Sequence, residues 1–354
     1  MFELAVSELD QAAGQVSPHW EALRDGHVLL TGGTGFIGLW LLETFLRANA
    51  VRNLRARAAV LTRDPERFRA KAPHVAGHPC IRLLRGDVRS PEFPLESFSH
   101  AIHAAADASR SSLGHDPLLT FDTIVTGTRR VLDFCQASGI PKLLFLSSGA
   151  VYGPQPESVE AVSERCSSAP RTGDPSSAYA EGKRAAEFLC AAFAARSRLQ
   201  VSIARCFSFI GPHLPLEGPF AAGNFIRDAA AGRPVEVRSD GRAVRSYLYA
   251  ADLAAWLWTM LLSPRSSGIC NVGSDQPVTI AQLAGMIATA ARVPVLFAES
   301  GAAAPSRYVP CIERARTELG LTVSVPLEEA IRRTLHWHSQ DLQWCVPSWG
   351  HSTR

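Results

Sequence analysis

Short apolar runs alternate with longer segments of helical apolar spacing between residues 27 and 204. The runs predict strands at 27–30, 58–61, 81–84, 100–103, 142–146 and 201–204, and helical spacing marks 39–46, 118–137 and 179–195. Strands that alternate with helices are typical of a parallel sheet that carries helices on both faces. The pattern predicts the α/β class, with a doubly wound parallel sheet of the Rossmann type.

A glycine-rich turn follows the first predicted strand and precedes the first helical segment. Residues 31–38 read Thr-Gly-Gly-Thr-Gly-Phe-Ile-Gly. Glycine in such a turn allows a tight bend and a close approach to a pyrophosphate, while the helix N-terminus faces the negative charge. The context of strand, turn and helix therefore predicts a dinucleotide site. Its residues are Gly32, Thr34, Gly35, Phe36, Ile37 and Gly38.

Beyond residue 204 the regular alternation gives way to segments rich in glycine and proline, at 211–215 and 217–219. Such segments commonly build a substrate lobe over the edge of a sheet. We therefore predict an N-terminal arm at 1–25 and an NAD(P)-binding Rossmann domain at 26–205, with a return segment at about 234–262. Residues 206–233 and 263–354 are predicted to form a smaller C-terminal α/β substrate-binding lobe.

Composition narrows the class of partner. The 354 residues carry a net charge of +3, which does not indicate a nucleic-acid binder but is compatible with a small anionic ligand. The eight cysteines show no zinc spacing, and no apolar stretch reaches the length of a membrane span. We therefore expect a cytoplasmic protein with no metal, membrane or nucleic-acid partner.

The residues after the second predicted strand bear on the choice of nicotinamide cofactor. An acidic residue there bonds the ribose 2′-hydroxyl of NAD, whereas an arginine accommodates the 2′-phosphate of NADP. Arg63 comes first, which favours NADP, and Asp64 behind it leaves NAD possible. After the third strand, Asp87 is predicted to face the adenine amino group and Val88 to contact the cofactor, although an ordinary turn at a strand end would read the same.

Tyr179 and Lys183 lie four residues apart in a predicted helix, so their side chains share one face. A tyrosine with an ordinary pKa near ~10 is a poor base at neutral pH unless nearby positive charge favours its phenolate. Lys183 and an oxidised nicotinamide can supply that charge. Tyr179 would then give a proton to an alkoxide, or take one from an alcohol, while the cofactor exchanges hydride.

The order of the motifs carries a family resemblance. The glycine turn, Ile-His-Ala-Ala-Ala at 102–106, Ser-Ser-Gly-Ala-Val-Tyr-Gly at 147–153 and Tyr179-x-x-x-Lys183 resemble the extended short-chain dehydrogenase/reductases, in their nucleotide-sugar epimerase, dehydratase and reductase branch. The resemblance spans about residues 27–335. It implies cofactor contacts from Ala104, Ala105, Tyr179 and Lys183. It also implies a catalytic hydroxyl from Ser148, with Ser147 as the competitor one residue away.

The same resemblance implies a sugar linked to a nucleoside diphosphate as substrate, and a homodimer paired through the helices at 118–137 and 179–195. Arg245 matches the family's diphosphate-binding arginine, and an arginine fork pairs with two phosphate oxygens at once. Asn224 matches a nucleotide contact, and Arg307 is a further phosphate candidate. In two of the family's patterns the chain departs, with Ser208 and Ile124 where relatives often carry asparagine.

Gly149 and Ala150 decide between the reactions of this branch. The sugar 4,6-dehydratases carry an aspartate and a glutamate directly after the catalytic hydroxyl residue, and decarboxylases of the group favour a glutamate. Glycine and alanine cannot act as acid or base. The predicted function is therefore NAD(P)-dependent oxidoreduction at C4 of the sugar, as a 4-epimerase or a 4-keto reductase. A 4,6-dehydratase and a non-catalytic NAD(P)-sensing protein are the alternatives.

Overall fold

The computed structural model describes residues 3–94, 96–106, 116–218, 220–265, 268–298 and 306–345. The helices are α1 (Val6–Gln15), α2 (Phe36–Arg52), α3 (Pro65–Lys71), α4 (Pro73–Ala76), α5 (Pro117–Ala137), α6 (Ala178–Arg196), α7 (Ala221–Ala230), α8 (Ala250–Leu262), α9 (Ile280–Ala291), α10 (Glu313–Leu319) and α11 (Leu327–Cys345). The strands of the main sheet are β1 (His27–Thr31), β2 (Arg57–Thr62), β3 (Ile81–Arg85), β4 (His100–His103), β5 (Lys142–Ser148), β6 (Gln200–Cys206) and β11 (Gly268–Val272).

These seven strands form one parallel sheet in the order β11-β6-β5-β4-β1-β2-β3. The first strand, β1, lies inside the sheet, and β2 and β3 follow it on one side. The chain then crosses to the other side of β1, where β4, β5, β6 and β11 are added in turn. The predicted α/β class and the doubly wound parallel sheet are confirmed. The crossover beside β1 places the glycine turn at the switch point, where such sheets bind their ligands.

Strand alternation explains why helices cover both faces of the sheet. Leu29 and Leu30 are adjacent in β1, yet they belong to two different buried clusters, because successive strand residues point to opposite faces. Leu30 packs in the cluster that α1, α2 and α8 cover, and Leu29 in the cluster that α5 and α6 cover. A strand buried on both faces is apolar throughout, which explains the unbroken apolar runs in the sequence.

A second core lies under the later part of the chain. Its helices α7, α9 and α11 pack with the short strands β7 (Phe209–Ile210), β8 (Val235–Val237), β10 (Leu248–Tyr249), β12 (Val278–Thr279) and β13 (Val295–Phe297). Two further short strands are β9 (Val244–Arg245) and β14 (Arg307–Tyr308). The short strands pair as β8 with β13, β7 with β10, and β9 between β12 and β14. Across the residues that the structure describes, none of the helices combines the length and apolar character needed to cross a bilayer.

The predicted boundaries need two corrections in this region. Strand β11 lies in residues assigned to the substrate lobe, but it pairs with β6 and completes the main sheet. Conversely, β8 lies in the predicted return segment to the Rossmann domain, but it pairs with β13 in the second core. Both strands are short, with three residues in β8 and five in β11, and the partner of so short a strand depends on the path of the chain rather than on its own residues.

The N-terminal segment differs from the predicted arm ahead of the core. Helix α1 packs on α2 and α8, and Trp20 and Leu23 behind it are fully buried. Glu8 accepts a hydrogen bond from the Tyr249 hydroxyl at 2.6 Å. These buried contacts make the segment part of the folded core.

A buried carboxylate, Glu43 of α2, ties the N-terminal segment to two other parts of the chain. Its oxygens accept hydrogen bonds from the backbone N–H of Leu4 at 2.9 Å and from Nε2 of His213 at 2.9 Å. His74 of α4 lies 3.4 Å away. Burial alone raises the pKa of Glu43, but the bonds from His213, His74 and Leu4 outweigh burial and lower it to about 2.

Candidate active site

Two glycines of the turn have no room for a side chain, because the backbone of other residues lies directly against them. Gly32 has φ +76°, and a Cβ there would lie 2.5 Å from the backbone of Ala104. A Cβ on Gly38 would lie 2.4 Å from Gly33. Gly35 differs, because a Cβ there would meet only the Gly32 carbonyl, at 3.6 Å. Gly35 therefore opens onto free space at the start of α2, where a pyrophosphate can approach the helix N-terminus. This cradle fits a dinucleotide.

Ala104 and Ala105, to which the resemblance assigns cofactor contacts, lie beside this turn because Thr31 and His103 hold the ends of β1 and β4 together. The Thr31 hydroxyl bonds Nδ1 of His103 at 2.7 Å and accepts the Ala105 N–H at 3.2 Å. His103 also bonds Thr128 of α5. Burial lowers the pKa of His103 to about 3, so the imidazole is neutral at physiological pH. The ring orders the turn without adding charge.

The residues that bear on cofactor choice lie at the ends of β2 and β3. Asp64 caps α3 by accepting the Arg67 N–H at 3.0 Å, so its carboxylate is already engaged. Arg63 is exposed at the end of β2. Asp87 forms a two-bond ion pair with Arg89, which is the largest cause of its lowered pKa.

Val88 does not face an open cleft. Its side chain is buried and packs over Gly127 of α5, where an added Cβ would come within 2.8 Å. Any cofactor contact from Val88 must therefore come from its backbone. The sequence analysis also missed Lys71 of α3, whose ammonium donates to the Thr34 carbonyl at 2.8 Å and brings positive charge to the glycine turn.

Tyr179, Lys183 and Ser148 come together where β5 ends against the first turns of α6. The Lys183 side chain is 2% exposed, and its ammonium donates to the Leu146 carbonyl at 2.6 Å. The same ammonium lies 4.8 Å from the Phe145 ring centroid and 5.9 Å from that of Tyr179. The Ser148 side chain lies close enough to the Tyr179 phenol to act on its pKa. Lys183 therefore fixes α6 to β5, which sets the phenol against the serine.

The electrostatics of this trio differ in one respect from the expectation. Burial raises the pKa of Tyr179 to about 12, although the Ser148 side chain opposes the rise. Burial lowers the pKa of Lys183 to about 8. The lysine alone therefore does not make the phenol acidic. The positive charge of an oxidised nicotinamide would act in the direction that lowers the tyrosine pKa.

The two serines at the end of β5 point to opposite faces, because strand side chains alternate. The Ser147 hydroxyl donates to Glu187 at 2.5 Å, and Glu187 also pairs with Arg205 at 2.6 Å. Ser148 instead faces Tyr179 and accepts the Ala150 N–H at 3.1 Å. The geometry thus separates a serine held in a structural network from one that reaches the candidate acid/base.

Gly149 is closely packed on the side where a side chain would project. A Cβ there would lie 2.6 Å from the Tyr308 hydroxyl and 2.8 Å from the Phe207 ring. The rings of Phe207 and Tyr308 pack together with centroids 4.5 Å apart. Position 149 therefore has no space for an acidic side chain while Tyr308 occupies this place.

The predicted substrate residues divide into two groups. Arg245 on β9 lies beside β14, which carries Arg307 and Tyr308, and its charge acts on the Tyr308 phenol. Arg245 bonds the Ser306 carbonyl and hydroxyl, each at 3.0 Å, and Arg307 bonds the Glu160 carbonyl at 2.6 Å.

Asn224 on α7 forms the second group. It bonds the Gly218 carbonyl at 3.2 Å and Arg227 at 3.3 Å. Within the described part of the chain, none of its hydrogen bonds reaches Tyr179 or Ser148. Tyr308 itself was missed by the sequence analysis, although it follows Arg307 directly. In those same ranges no group of three His, Cys, Asp or Glu residues is arranged to hold a metal.

Three comparisons identify relatives of the chain. The UDP-glucuronic acid decarboxylase 1 of Xenopus tropicalis is 29% identical over 318 residues, which cover 89% of this chain and 73% of that protein. The UDP-glucose 4-epimerase of Thermus thermophilus, solved in complex with NAD, aligns with a TM-score of 0.72 at 26% identity, covering 88% of this chain and 98% of that one.

The UDP-glucose 4-epimerase of Thermotoga maritima, solved with UDP-glucose, has a TM-score of 0.75 at 21% identity, covers 89% of this chain and 99% of that chain, and shows the shared fold. The model of the NAD dependent epimerase/dehydratase family matches residues 28–273, which include the glycine turn, Ser148 and Tyr179. The chain therefore belongs to the NAD dependent epimerase/dehydratase family.

Proposed function

We propose that this protein oxidises or reduces C4 of a sugar linked to a nucleoside diphosphate, as a 4-epimerase or a 4-keto reductase. The observation that carries the proposal is the contact of Tyr308 and Phe207 over Gly149. It leaves no room for the first of the two acidic residues that the resemblance assigns to dehydratases, and Ala150 supplies a methyl group in place of the second. Hydride transfer with proton exchange needs neither acid.

Tyr179 is the proposed general acid/base, and Ser148 the donor to the reacting oxygen. A bound nicotinamide supplies the hydride chemistry. Ser148 lies where β5 ends and Tyr179 lies over it on α6, so both hydroxyls reach the same small region. Lys183, buried beneath them, is proposed to hold the nicotinamide ribose as well as α6. Arg245, beside Tyr308, is proposed to bind the diphosphate.

A second candidate is the decarboxylation of UDP-glucuronic acid, because the sequence relatives include enzymes named for that reaction. A 4,6-dehydratase is a third. One assay separates these reactions: the purified protein is incubated with UDP-glucose, UDP-glucuronic acid and a nucleotide-linked 4-keto sugar. A product of unchanged mass and inverted C4 supports the epimerase, and stoichiometric NADPH consumption supports the reductase. Loss of carbon dioxide or of water contradicts the proposal.

We propose NADP as the preferred cofactor, with NAD as the alternative. Asp64 accepts the Arg67 N–H as a helix cap, and Arg63 is exposed at the end of β2, where an arginine accommodates a 2′-phosphate. An Arg63→Ala variant is expected to weaken NADPH binding roughly ten- to one hundredfold, since hydrogen bonds to charged groups are worth ~1.5–3 kcal/mol. NADH affinity should barely change. Quenching of tryptophan fluorescence measures both. Equal weakening of both cofactors would contradict the assignment.

We also propose a homodimer that pairs α5 and α6 of each copy. Phe188 on α6 is 72% exposed and Phe121 on α5 is 38% exposed, and side chains of this kind are enriched in interface cores. A Phe188→Glu variant would place a charge in that interface, so sedimentation should show a monomer. Val51→Glu is the matched control, because Val51 is 62% exposed on α2, away from these helices. Dissociation of both variants, or of neither, would reject this interface.

A further inference from the structure

Lys71, the last residue of α3, is a partly buried cation that lies against the glycine turn. Its ammonium donates to the Thr34 carbonyl at 2.8 Å. Burial lowers the pKa of Lys71, and the charge of Arg67 lowers it further. Among the residues that the structure describes, no carboxylate lies within ion-pair distance of this ammonium. A carbonyl dipole balances a full positive charge only in part, so the site has room for an anion.

The carboxylates next to Lys71 in the sequence are engaged elsewhere. Asp64 caps α3 by accepting the Arg67 N–H at 3.0 Å, and Glu66 pairs with Arg69 at 2.6 Å. Arg67 lies one turn before Lys71 on the same face of α3, and like charges at this spacing repel each other. An anion between the glycine turn and this face would offset the repulsion.

The N-terminus of α2 is a second positive feature at the same place. Helix α2 follows Gly35 with no side-chain cap and with no acidic residue in its first turn. The first N–H groups of a helix have no acceptor within the helix and together carry a partial positive charge. Thr34, whose carbonyl holds Lys71, directly precedes Gly35. The ammonium and the helix N-terminus therefore meet at one turn.

The hydrogen-bonding capacity of the ammonium leaves donors for a ligand. A lysine side chain has three hydrogens to donate, and the Thr34 carbonyl takes one of them. In the described ranges of the chain, the other two have no protein acceptor. A phosphate supplies several charged acceptor oxygens, and lysine binds phosphate as a compact point charge. In an NAD dependent family, the phosphates that reach this turn belong to the cofactor.

We propose that Lys71 binds a phosphate of the dinucleotide while it holds the glycine turn through the Thr34 carbonyl. Two phosphate groups could take this place, the pyrophosphate of NAD and NADP and the 2′-phosphate of NADP alone. The inference does not rest on the proposed reaction at C4, because any reaction of this family that uses the cofactor brings the same groups to the turn.

The test is a Lys71→Gln variant of the full chain, titrated with NADP⁺ and with NAD⁺ by quenching of tryptophan fluorescence. Glutamine keeps an N–H donor but removes the charge. The Kd of at least NADP⁺ should rise roughly ten- to thirtyfold, as expected for loss of a hydrogen bond to a charged group. Because salt screens charges, the difference from wild type should shrink as ionic strength rises. Lys71→Arg keeps the charge and should lose far less affinity.

Two fragments distinguish the phosphates. ADP-ribose carries the pyrophosphate without a 2′-phosphate, and 2′-AMP carries the reverse. Weaker binding of NAD⁺, NADP⁺ and ADP-ribose to Lys71→Gln assigns the pyrophosphate to Lys71. Weaker binding of NADP⁺ and 2′-AMP alone assigns the 2′-phosphate.

Lys142→Gln is the matched control. Lys142 also donates to backbone carbonyls, those of Leu262 and Ser263 at 3.3 and 3.4 Å, but it begins β5 at the opposite edge of the sheet from the glycine turn. Its loss should leave the affinity for every nucleotide unchanged. Unchanged affinities in Lys71→Gln, a loss that is equal at every salt concentration, or the same loss in Lys142→Gln overturns the proposal.

A measurement on the wild-type protein covers the case in which Lys71→Gln does not fold. The chain has three lysines, Lys71, Lys142 and Lys183, so acylation by a lysine reagent can be followed at each by mass spectrometry. Saturating NADP⁺ should slow the acylation of Lys71 and leave that of Lys142 unchanged. Equal acylation of Lys71 with and without NADP⁺ overturns the proposal.

These experiments also separate the inference from the proposed function. A charge-dependent loss of cofactor affinity in Lys71→Gln, in a protein that turns over none of the nucleotide sugars, supports the role of Lys71 and contradicts the proposed reaction. Turnover at C4 with unchanged cofactor affinity in Lys71→Gln supports the reaction and contradicts the role of Lys71.

Discussion

Replacing Tyr179 by phenylalanine is expected to lower kcat roughly one hundred- to ten thousandfold, which is the range for loss of a positioned general acid/base. The substitution removes only the hydroxyl beside Ser148, and the ring stays packed on α6 above Lys183. Cofactor affinity should therefore be nearly unchanged. Steady-state kinetics on the substrate found in the assay, together with fluorescence titration of the cofactor, measure the two effects separately.

Ser147→Ala and Ser148→Ala form the matched pair for this prediction. Ser147 donates to Glu187, which keeps its bonds to Arg205 when the serine hydroxyl is lost, so kcat should change little. Ser148→Ala should lower kcat by roughly ten- to one hundredfold, because it removes a donor to the reacting oxygen. A Tyr179→Phe enzyme with near-normal kcat, or equal losses in the two serine variants, would remove the basis for the acid/base assignment.

The largest expected effect on stability comes from Glu43. A Glu43→Gln variant keeps the side chain's size but removes the charge that His213 and His74 face, and removal of one partner of a buried pair costs about 3–5 kcal/mol. The free energy of unfolding, measured by urea titration at neutral pH, should fall by that amount. Glu21→Gln is the control, because the exposed pair of Glu21 with Arg24 should contribute far less.

The same variant should change the response to acid. The folded-state pKa of Glu43 is about 2 and its ordinary value is 4.5, so its contribution is fully present above pH 4.5 and is lost as pH falls towards 2. The stability difference between wild type and Glu43→Gln should therefore shrink over that window. A difference that stays constant down to pH 2 would mean that the cluster stabilises the fold by packing and not by charge.

The sheet could be predicted from the sequence because its strands are buried on both faces and therefore read as apolar runs. The predicted run at 100–103 coincides with β4, and the other runs differ from the observed strands by one or two residues at an end. The glycine turn could also be predicted, because Gly32 and Gly38 must be glycine: each lies against backbone, of Ala104 and of Gly33, where a side chain would clash. Both signals are local.

The features that the sequence did not predict depend on contacts between distant residues. Tyr308 packs against Gly149, 159 residues earlier in the chain, and the residues next to Tyr308 in the sequence do not indicate that contact. Glu8 lies in the predicted N-terminal arm, but Tyr249, 241 residues further along the chain, bonds it inside the protein. A polar residue whose partner lies far along the chain cannot be distinguished by local pattern from one that faces water.

The late position of β11 in the chain sets the order in which the protein can be completed during synthesis. Strand β6 has an unpaired edge until Gly268–Val272 have left the ribosome, and an open strand edge is a template for pairing with other chains. The apolar face of α8 is made just before that point and covers one side of the sheet without protecting its edge. Nascent chains stalled short of β11 are therefore the form of this protein in which chaperone binding and aggregation should concentrate.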